Sequence, residues 1–248
     1  MRLPPDDAAS GRSSSLRGLQ GMKVTWFGHS TFLVTSPRGV RLLFDPWLTT
    51  NPSCPPSSRP VGAVDLMLIT HGHADHCEDA VSVARETGAT VVAAYELVMW
   101  LERQGVKNGR PMNIGGRQTI GGIEIAMVNA LHSSSAGDGT YLGPATGYVV
   151  RFEDGPTVYF AGDTGLFGDM RLVRERHMPS IGFLPIGDRY TMGPEDASVA
   201  AEWLGLKTIV PMHYGTFPEL TGTPDKLREF VNPKGIDVVE LRPGEPSS

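Results

Sequence analysis

The chain has 248 residues, 40% of them apolar, and a formal net charge of −5 at neutral pH. This length permits one large domain with a substantial core, and the negative charge argues against a surface that follows the phosphates of DNA or RNA. Two cysteines are too few for a disulfide framework, and no apolar run approaches the ~18 residues of a membrane span.

The two ends of the sequence are polar and rich in Pro, Ser and Gly. Residues 1–21 lack both an apolar pattern and the apolar stretch of a secretory signal. We therefore expect a disordered leader over residues 1–21, one folded domain over residues 22–242 and a flexible tail over residues 243–248. The absence of a signal and of a span indicates a cytoplasmic protein with no membrane partner.

Between these ends, short strands alternate with helices in both halves of the chain. Apolar or alternating runs bounded by Gly, Pro or Asp predict strands at 22–27, 31–35, 40–45, 65–70, 89–94, 119–131, 147–153, 156–162, 180–187, 207–212 and 236–241. Helical spacing and end signals predict helices at 77–87, 95–105, 194–205 and 224–232. This order predicts an α/β fold of two sheets with helices outside.

The sequence HGHADH at residues 71–76 directly follows a predicted buried strand. His71 and His73 alternate and can face one ion, whereas Asp75 and His76 can turn toward a second. The alternative is a solvated polar loop, but three histidines and an aspartate within six residues are improbable by chance. Imidazole with carboxylate suits zinc, and also manganese or iron.

Three single residues, His132, Asp163 and His213, each follow a predicted strand. Because neighbouring strands bring their ends together, these side chains can converge on HGHADH. Each alone would more often be a turn residue or an ordinary hydrogen-bonded polar group. Together with the motif they supply about the number of ligands that two ions need. We therefore expect two divalent cations, with zinc as the first choice and manganese as the alternative.

The order HGHADH, His132, GDTG (162–165) and His213 resembles the ligand series of the metallo-β-lactamase superfamily. The resemblance implies a four-layer αβ/βα sandwich in which Asp163 bridges two ions. It also implies the two sets of ligands, which are His71, His73 and His132 for one ion and Asp75, His76 and His213 for the other. A bridging aspartate resembles the phosphodiesterase, lactonase and thioesterase branches rather than the drug-hydrolysing β-lactamases.

Further motifs resemble one branch, the small metal-dependent hydrolase family related to L-ascorbate-6-phosphate lactonase. The resemblance covers about residues 22–242. Its motifs are GHSTFLV (28–34), FDPWLTTNP (44–52), FAGDTGLFGDM (160–170), LPIGDRYTMGPEDA (184–197) and PMHYGTFP (211–218).

These ligands predict a hydrolase. Two cations a few Å apart lower the pKa of a shared water, and the metal-bridged hydroxide would attack a small ester, lactone or phosphodiester. Asp163 and Asp75 are the candidate catalytic carboxylates, because they can accept a proton or orient the water. Asp45, at a strand exit, is predicted to hold an imidazole ligand, with a turn cap before Pro46 as the alternative.

Four residues near the motifs are predicted to contact a small-molecule substrate: His29, Asp188, Arg189 and Tyr214. Arg189 could anchor an anion. The alternatives are a turn residue for His29, a solvated loop for Arg189 and a packed aromatic ring for Tyr214. The loops at 49–60, 133–144 and 187–193 should shape the pocket, and spacing rules do not identify the substrate.

Three other functions compete with this hypothesis. A nuclease or RNA-processing phosphodiesterase of the same fold is disfavoured by the acidic charge and the lack of a basic arm. A non-catalytic metal-binding relative is disfavoured because all the ligands are present. A di-iron oxidoreductase would need an electron carrier, and no nucleotide-binding glycine motif follows a strand. A homo-oligomer is compatible with the sequence.

Overall fold

The computed structural model describes residue 19, residues 21–59 and residues 61–247. In this part of the chain, the strands form two mixed sheets. The first contains, in spatial order, β1 (Lys23–Trp26), β2 (Phe32–Thr35), β3 (Arg41–Phe44), β4 (Leu66–Leu68), β5 (Thr90–Ala94) and β6 (Gly109–Met112). The second contains, in spatial order, β13 (Asp237–Val238), β12 (Thr208–Met212), β11 (Ile181–Pro185), β10 (Thr157–Phe160), β9 (Thr146–Arg151), β8 (Ile123–Asn129) and β7 (Arg117–Ile120).

Helices cover the outer faces of both sheets, as the α/β prediction required. They are α1 (Ala74–Cys77), α2 (Ala80–Thr87), α3 (Tyr95–Arg103), α4 (Met170–His177), α5 (Pro194–Leu204) and α6 (Pro224–Val231). Short 3₁₀ turns lie at Pro56–Ser58 and Asn232–Lys234. None of these helices has both the length and the apolar character that crossing a bilayer requires, in the part of the chain that is described.

The core forms two clusters, because the side chains of each strand alternate between the two faces of its sheet. The larger cluster fills the space between the sheets and continues to the helices outside the second sheet. In β4, Leu66 and Leu68 join the core between the sheets, whereas Met67 faces the core under α2 and α3. Aromatic rings connect the two sheets: Phe32 lies 4.9 Å from Phe183, measured between ring centroids. The expected sandwich of two sheets between helical layers is therefore confirmed.

Strand direction brings the candidate site to one edge of the sandwich. In the first sheet β3 and β4 are parallel, so Asp45 and His71 leave at the same edge. In the second sheet β9 is antiparallel to both β8 and β10, and β10, β11 and β12 are parallel. The carboxyl ends of β8, β10 and β12 therefore share one edge.

Four of the strands and α-helices were not predicted. Two of them adjoin predicted elements: β7 precedes β8 where one strand was predicted within 119–131, and α1 lies within HGHADH, before the helix predicted at 77–87. The other two are α4 and β6. Helix α4 lies in a charged stretch, and among its residues only Met170 and Val173 are buried, so its apolar periodicity is too weak to read from the sequence. Strand β6 contains Pro111, which normally argues against a strand. The structure accommodates this proline because β6 is an edge strand, which among the described residues pairs only with β5.

Both predicted chain-end boundaries need correction where the structure describes them. Leu19, inside the predicted leader, is 2% exposed and belongs to the core between the sheets. The predicted flexible tail pairs with the edge strand β1, since Gly244 N–H donates to Trp26 O and Ser247 N–H donates to Val24 O, both at 2.7 Å. These bonds satisfy backbone groups that an edge strand leaves unpaired. The rest of the leader, residues 1–18 and 20, lies outside the described residues.

Deleting residues 244–248 should destabilise the fold without changing the metal site. The deletion removes the two backbone bonds above and the bond from Val24 N–H to Ser247 Oγ. At about 1 kcal/mol each, their loss should lower the melting temperature by roughly 5–10 °C. Thermal unfolding followed by circular dichroism measures this change. Ser247→Ala, which removes only one bond, should show about a third of the effect, and an unchanged melting temperature in the deletion would contradict the pairing.

Candidate metal centre

All seven predicted ligands lie together at this edge of the sandwich. They fall into overlapping groups whose ligand atoms lie within 4.8 Å of one another. One group contains His71, His73 and His132, which is the set predicted for the first ion. In it, His71 Nε2 lies 3.0 Å from His73 Nδ1.

The second group contains the residues predicted for the other ion, Asp75, His76 and His213, together with His29. Asp75 Oδ2 lies 3.8 Å from His76 Nε2 and 4.0 Å from His213 Nε2. The short helix α1 positions Asp75 and His76, whereas His213 directly follows β12 with a positive φ of 54°.

The carboxylate of Asp163 lies between the two groups. Its Oδ2 is 3.6 Å from His132 Nε2 and 3.0 Å from His213 Nε2, and its Oδ1 is 3.3 Å from His76 Nε2. Gly162 permits this placement, because its φ is +61° and a Cβ there would lie 2.8 Å from a carbon of the Thr70 side chain. Asp163 thus contacts a histidine of each set, as a bridging ligand would.

Asp45 lies behind the cluster with no solvent exposure. Its Oδ1 accepts a hydrogen bond from Thr70 N–H at 2.7 Å, and its Oδ2 accepts from Thr70 Oγ1–H and from His76 Nδ1–H, both at 2.8 Å. Thr70 Oγ1 in turn lies 3.0 Å from His71 Nδ1. With Nδ1 as the donor in both rings, Nε2 of His71 and of His76 is left as a lone pair facing the centre.

The electrostatics of the centre depend on the proximity of buried carboxylates and imidazoles. Burial alone would lower the pKa of His76, but the carboxylates of Asp163, Asp75 and Asp45 raise it well above its usual value. Burial would raise the pKa of Asp163, yet His213 and His76 hold it well below its usual range. Burial and the neighbouring His76 lower the pKa of His71. Without a cation, a proton shared with His76 compensates the buried carboxylates.

The residues present fit divalent cations. Two imidazole nitrogens 3.0 Å apart, as in His71 and His73, need a proton or a cation between them. His76 Nε2 and Asp163 Oδ1 are buried 3.3 Å from each other and have no other hydrogen-bond partner within the described residues, which is costly unless a proton or a cation satisfies them. Five imidazoles and two carboxylates form a donor set suited to zinc or manganese.

The centre opens to solvent on one side. The side chains of Asp75 and His132 are 30% and 15% exposed, whereas those of Asp163 and His213 are 3% exposed. The loop after β8 borders this opening, where Ser133 Oγ lies 3.4 Å from His73 Nε2. That loop packs closely on the motif, because a Cβ at Gly72 would lie 2.4 Å from Leu142. Asp75, His73 and His132 are therefore the residues of the cluster that border the opening.

The rings of His29 and Tyr214 both pack against neighbouring side chains. The side chain of His29 has no exposed surface, and both its ring nitrogens bond to protein side chains. The ring of Tyr214 stacks on Trp26, with 5.2 Å between centroids, so the packed-aromatic alternative describes its placement. His29 belongs to the interior of the cluster because the bend between β1 and β2 turns its ring inward, toward Asp75.

Asp188 and Arg189 lie on an exposed loop, both with positive φ. The loop is joined to the centre through Thr164, because Met192 N–H donates to Thr164 O at 3.0 Å. Non-glycine residues with positive φ are strained and are enriched at functional sites. Substrate contact by these two residues remains a prediction.

Two threonines around the cluster were not predicted. Thr70 links His71 to Asp45, and Thr216 bonds to His29. Thr70 directly precedes HGHADH, so its position could have suggested an orienting role. Thr216 offers no comparable indication, since its hydroxyl reaches a residue 187 positions away in the chain.

The comparisons with known proteins agree with this geometry. A family model described as a β-lactamase superfamily domain matches residues 40–214, more than half of the chain. The chain belongs to the metallo-β-lactamase superfamily. A UPF0173 metal-dependent hydrolase of Koribacter versatilis is 50% identical over 92% of this chain and 98% of its own length. The enzyme is therefore a metal-dependent hydrolase of this superfamily.

Two solved structures show the same architecture. A metallo hydrolase from the archaeon Ignicoccus hospitalis is 37% identical, with a TM-score of 0.82, and the match covers 91% of this chain and 97% of that one. An isothiocyanate hydrolase from gut bacteria of Delia radicum is 26% identical, with a TM-score of 0.72, over 91% and 98% of the two chains. This hydrolase therefore has the metallo-β-lactamase fold over nearly its whole length.

Replacing Asp45 with asparagine should weaken metal binding. The amide cannot accept both hydrogen bonds that reach Oδ2, so His76 would lose the acceptor that fixes its Nδ1–H tautomer. Loss of such an outer partner costs about 10- to 100-fold in metal affinity. Isothermal titration of the metal-free protein with zinc measures the change.

Asp79→Asn is the matched control. Asp79 is also buried and accepts three bonds, from Leu48 N–H, Thr49 N–H and Thr49 Oγ1–H, but none from a histidine. This variant should lower the melting temperature and leave zinc affinity unchanged. Equal affinities in Asp45→Asn and the native enzyme would remove Asp45 from the centre.

Proposed function

We propose that this hydrolase is dinuclear and cleaves a small ester, lactone or phosphodiester with a hydroxide held between two divalent cations. The observation that supports this most is the position of Asp163, whose carboxylate lies 3.6 Å from His132 and 3.0 Å from His213. Seven ligands exceed what one tetrahedral ion uses, so a shared carboxylate between two sets favours two ions. Zinc is our first choice, with manganese second.

When bound, the cations would supply Lewis acidity and a hydroxide at neutral pH. The chain's own residues hold and orient the reactants. His71, His73 and His132 would hold one cation, and Asp75, His76 and His213 the other. Asp163 would join the two sets, and the bonds of Asp45 fix the orientation of two of the imidazoles.

Asp75 is the proposed residue that orients the attacking water. Its carboxylate is partly exposed toward the opening. Burial alone would raise its pKa, but His76 and the hydrogen bond from His29 lower it well below the usual range. The group is therefore ionised at neutral pH and can accept a hydrogen bond from the attacking water, and no serine or cysteine nucleophile is required.

A small-molecule substrate fits these features better than a nucleic acid, given the net charge of −5. A second candidate reaction is hydrolysis of an isothiocyanate, because a 26% identical structural neighbour is an isothiocyanate hydrolase. The central carbon of an isothiocyanate is also an electrophile that hydroxide can attack. We also propose a cytoplasmic location.

Turnover of a substrate panel by the native enzyme and by Asp163→Asn tests the proposal. The panel contains aryl esters, lactones, bis-aryl phosphodiesters, benzyl isothiocyanate and single-stranded RNA, each with defined zinc or manganese. The native enzyme should bind two ions and hydrolyse a small ester, lactone or phosphodiester. Asp163→Asn should melt near the native temperature, because the amide has nearly the same size, yet bind less metal and turn over at least ~10²-fold more slowly.

Asp154→Asn, on an exposed hairpin away from the centre, is the control and should match the native enzyme in all three measurements. A native enzyme that binds a single ion, or an Asp163→Asn variant with native turnover, would contradict the dinuclear proposal. Cleavage of RNA or the isothiocyanate alone would replace the proposed substrate class.

A further inference from the structure

His29 has a backbone position that the structure fixes from two sides. It lies in the bend between β1 and β2 with a positive φ of 54°. Its carbonyl oxygen accepts hydrogen bonds from His213 N–H at 3.0 Å and from the Trp26 indole N–H at 2.9 Å. A strained conformation persists where surrounding bonds over-determine it, so the bend places this residue directly against the ligand His213.

The ring of His29 connects two segments of the site. Its Nε2 lies 3.1 Å from Asp75 Oδ2, and its Nδ1 lies 3.0 Å from Thr216 Oγ1. An ionised carboxylate only accepts, so the ring proton must be on Nε2. In the neutral imidazole, Nδ1 then accepts from the Thr216 hydroxyl. The two contacts select one tautomer.

Neighbouring rings prevent His29 from rotating away. Its centroid lies 3.9 Å from that of His213 and 5.2 Å from that of Trp47. Phe217 follows at 5.8 Å. The side chain is 0% exposed. Asp75, in contrast, is 30% exposed and would be free to turn toward solvent without a partner.

His29 could instead be a direct ligand, because its ring lies in the same group as Asp75, His76 and His213. The hydrogen bonds argue against this. A proton on Nε2 leaves no lone pair there for a cation, and Nδ1 is turned toward Thr216. Asp75 Oδ2, by comparison, faces both His76 and His213.

We propose that His29 is a positioning residue, which holds the Asp75 carboxylate in the orientation that binds the second cation, while Thr216 fixes its tautomer. The inference rests on the dinuclear centre proposed above. It assigns the Gly-His-Ser bend a role in metal affinity rather than in contact with substrate. Outer partners of this kind change metal affinity by about 10- to 100-fold.

Stepwise zinc titration and cobalt(II) absorption spectra of four variants test this proposal. In His29→Ala the second ion should bind about 10- to 100-fold more weakly, with the first ion nearly unaffected. In His29→Gln, whose amide N–H can replace Nε2–H, affinity for the second ion should stay within about threefold of native, with an unchanged cobalt spectrum. Thr216→Val should fall between these two variants.

Ser30→Ala is the matched control, because Ser30 is equally buried in the same bend and its hydroxyl has no hydrogen-bond partner within the described residues. It should bind both ions as the native enzyme does. If His29→Ala does not fold, the affinities of His29→Gln and Thr216→Val for the second ion test the positioning role of His29.

Two results would overturn the proposal. Native affinity for the second ion in His29→Ala would show that His29 only packs against its neighbours. If His29→Ala does not fold, native affinity in Thr216→Val would show the same. Equal losses in His29→Gln and His29→Ala, with an altered cobalt spectrum, would make it a direct ligand. A native enzyme that binds one ion would contradict the dinuclear proposal separately, and the same comparison would then be made on that ion.

Discussion

The carboxylate of Asp45 accepts hydrogen bonds from two donors of Thr70 and from His76 in a position with no access to water. Through Thr70 it also orients His71. A buried carboxylate is costly unless its oxygens are bonded, so this arrangement is over-determined and rigid. It fixes which nitrogen of His71 and of His76 faces the centre, and metal binding by these two residues depends on that choice.

The strands of the sandwich bring the residues of the centre together at one edge. Strands β3 and β4 end there in the first sheet, and β8, β10 and β12 end there in the second. The residues that directly follow these strands lie outside the ladders and can point side chains inward. The concentration of carboxylates and imidazoles is unfavourable in an apolar interior unless protons or cations balance it. The fold therefore holds an electrostatic arrangement that protons or divalent cations have to balance.

Much of this centre could be predicted from sequence, because HGHADH and residues such as Asp163 lie where strands end. The sequence could not show that His29 turns inward, since the three-residue bend Gly28-His29-Ser30 is too short for a periodicity that would indicate where a side chain points. Helix α4 escaped prediction because few of its residues are buried. The chain ends were misjudged because one buried side chain, Leu19, and a few backbone bonds of residues 244–247 leave no pattern in composition.

The central claim, two cations sharing Asp163, is tested most directly by anomalous diffraction from crystals of the full chain grown with zinc. The account predicts two anomalous peaks roughly 3.5–4 Å apart. One should contact His71, His73 and His132, the other should contact Asp75, His76 and His213, and Asp163 should contact both. A single peak at full occupancy, or two peaks of which Asp163 touches only one, would contradict it.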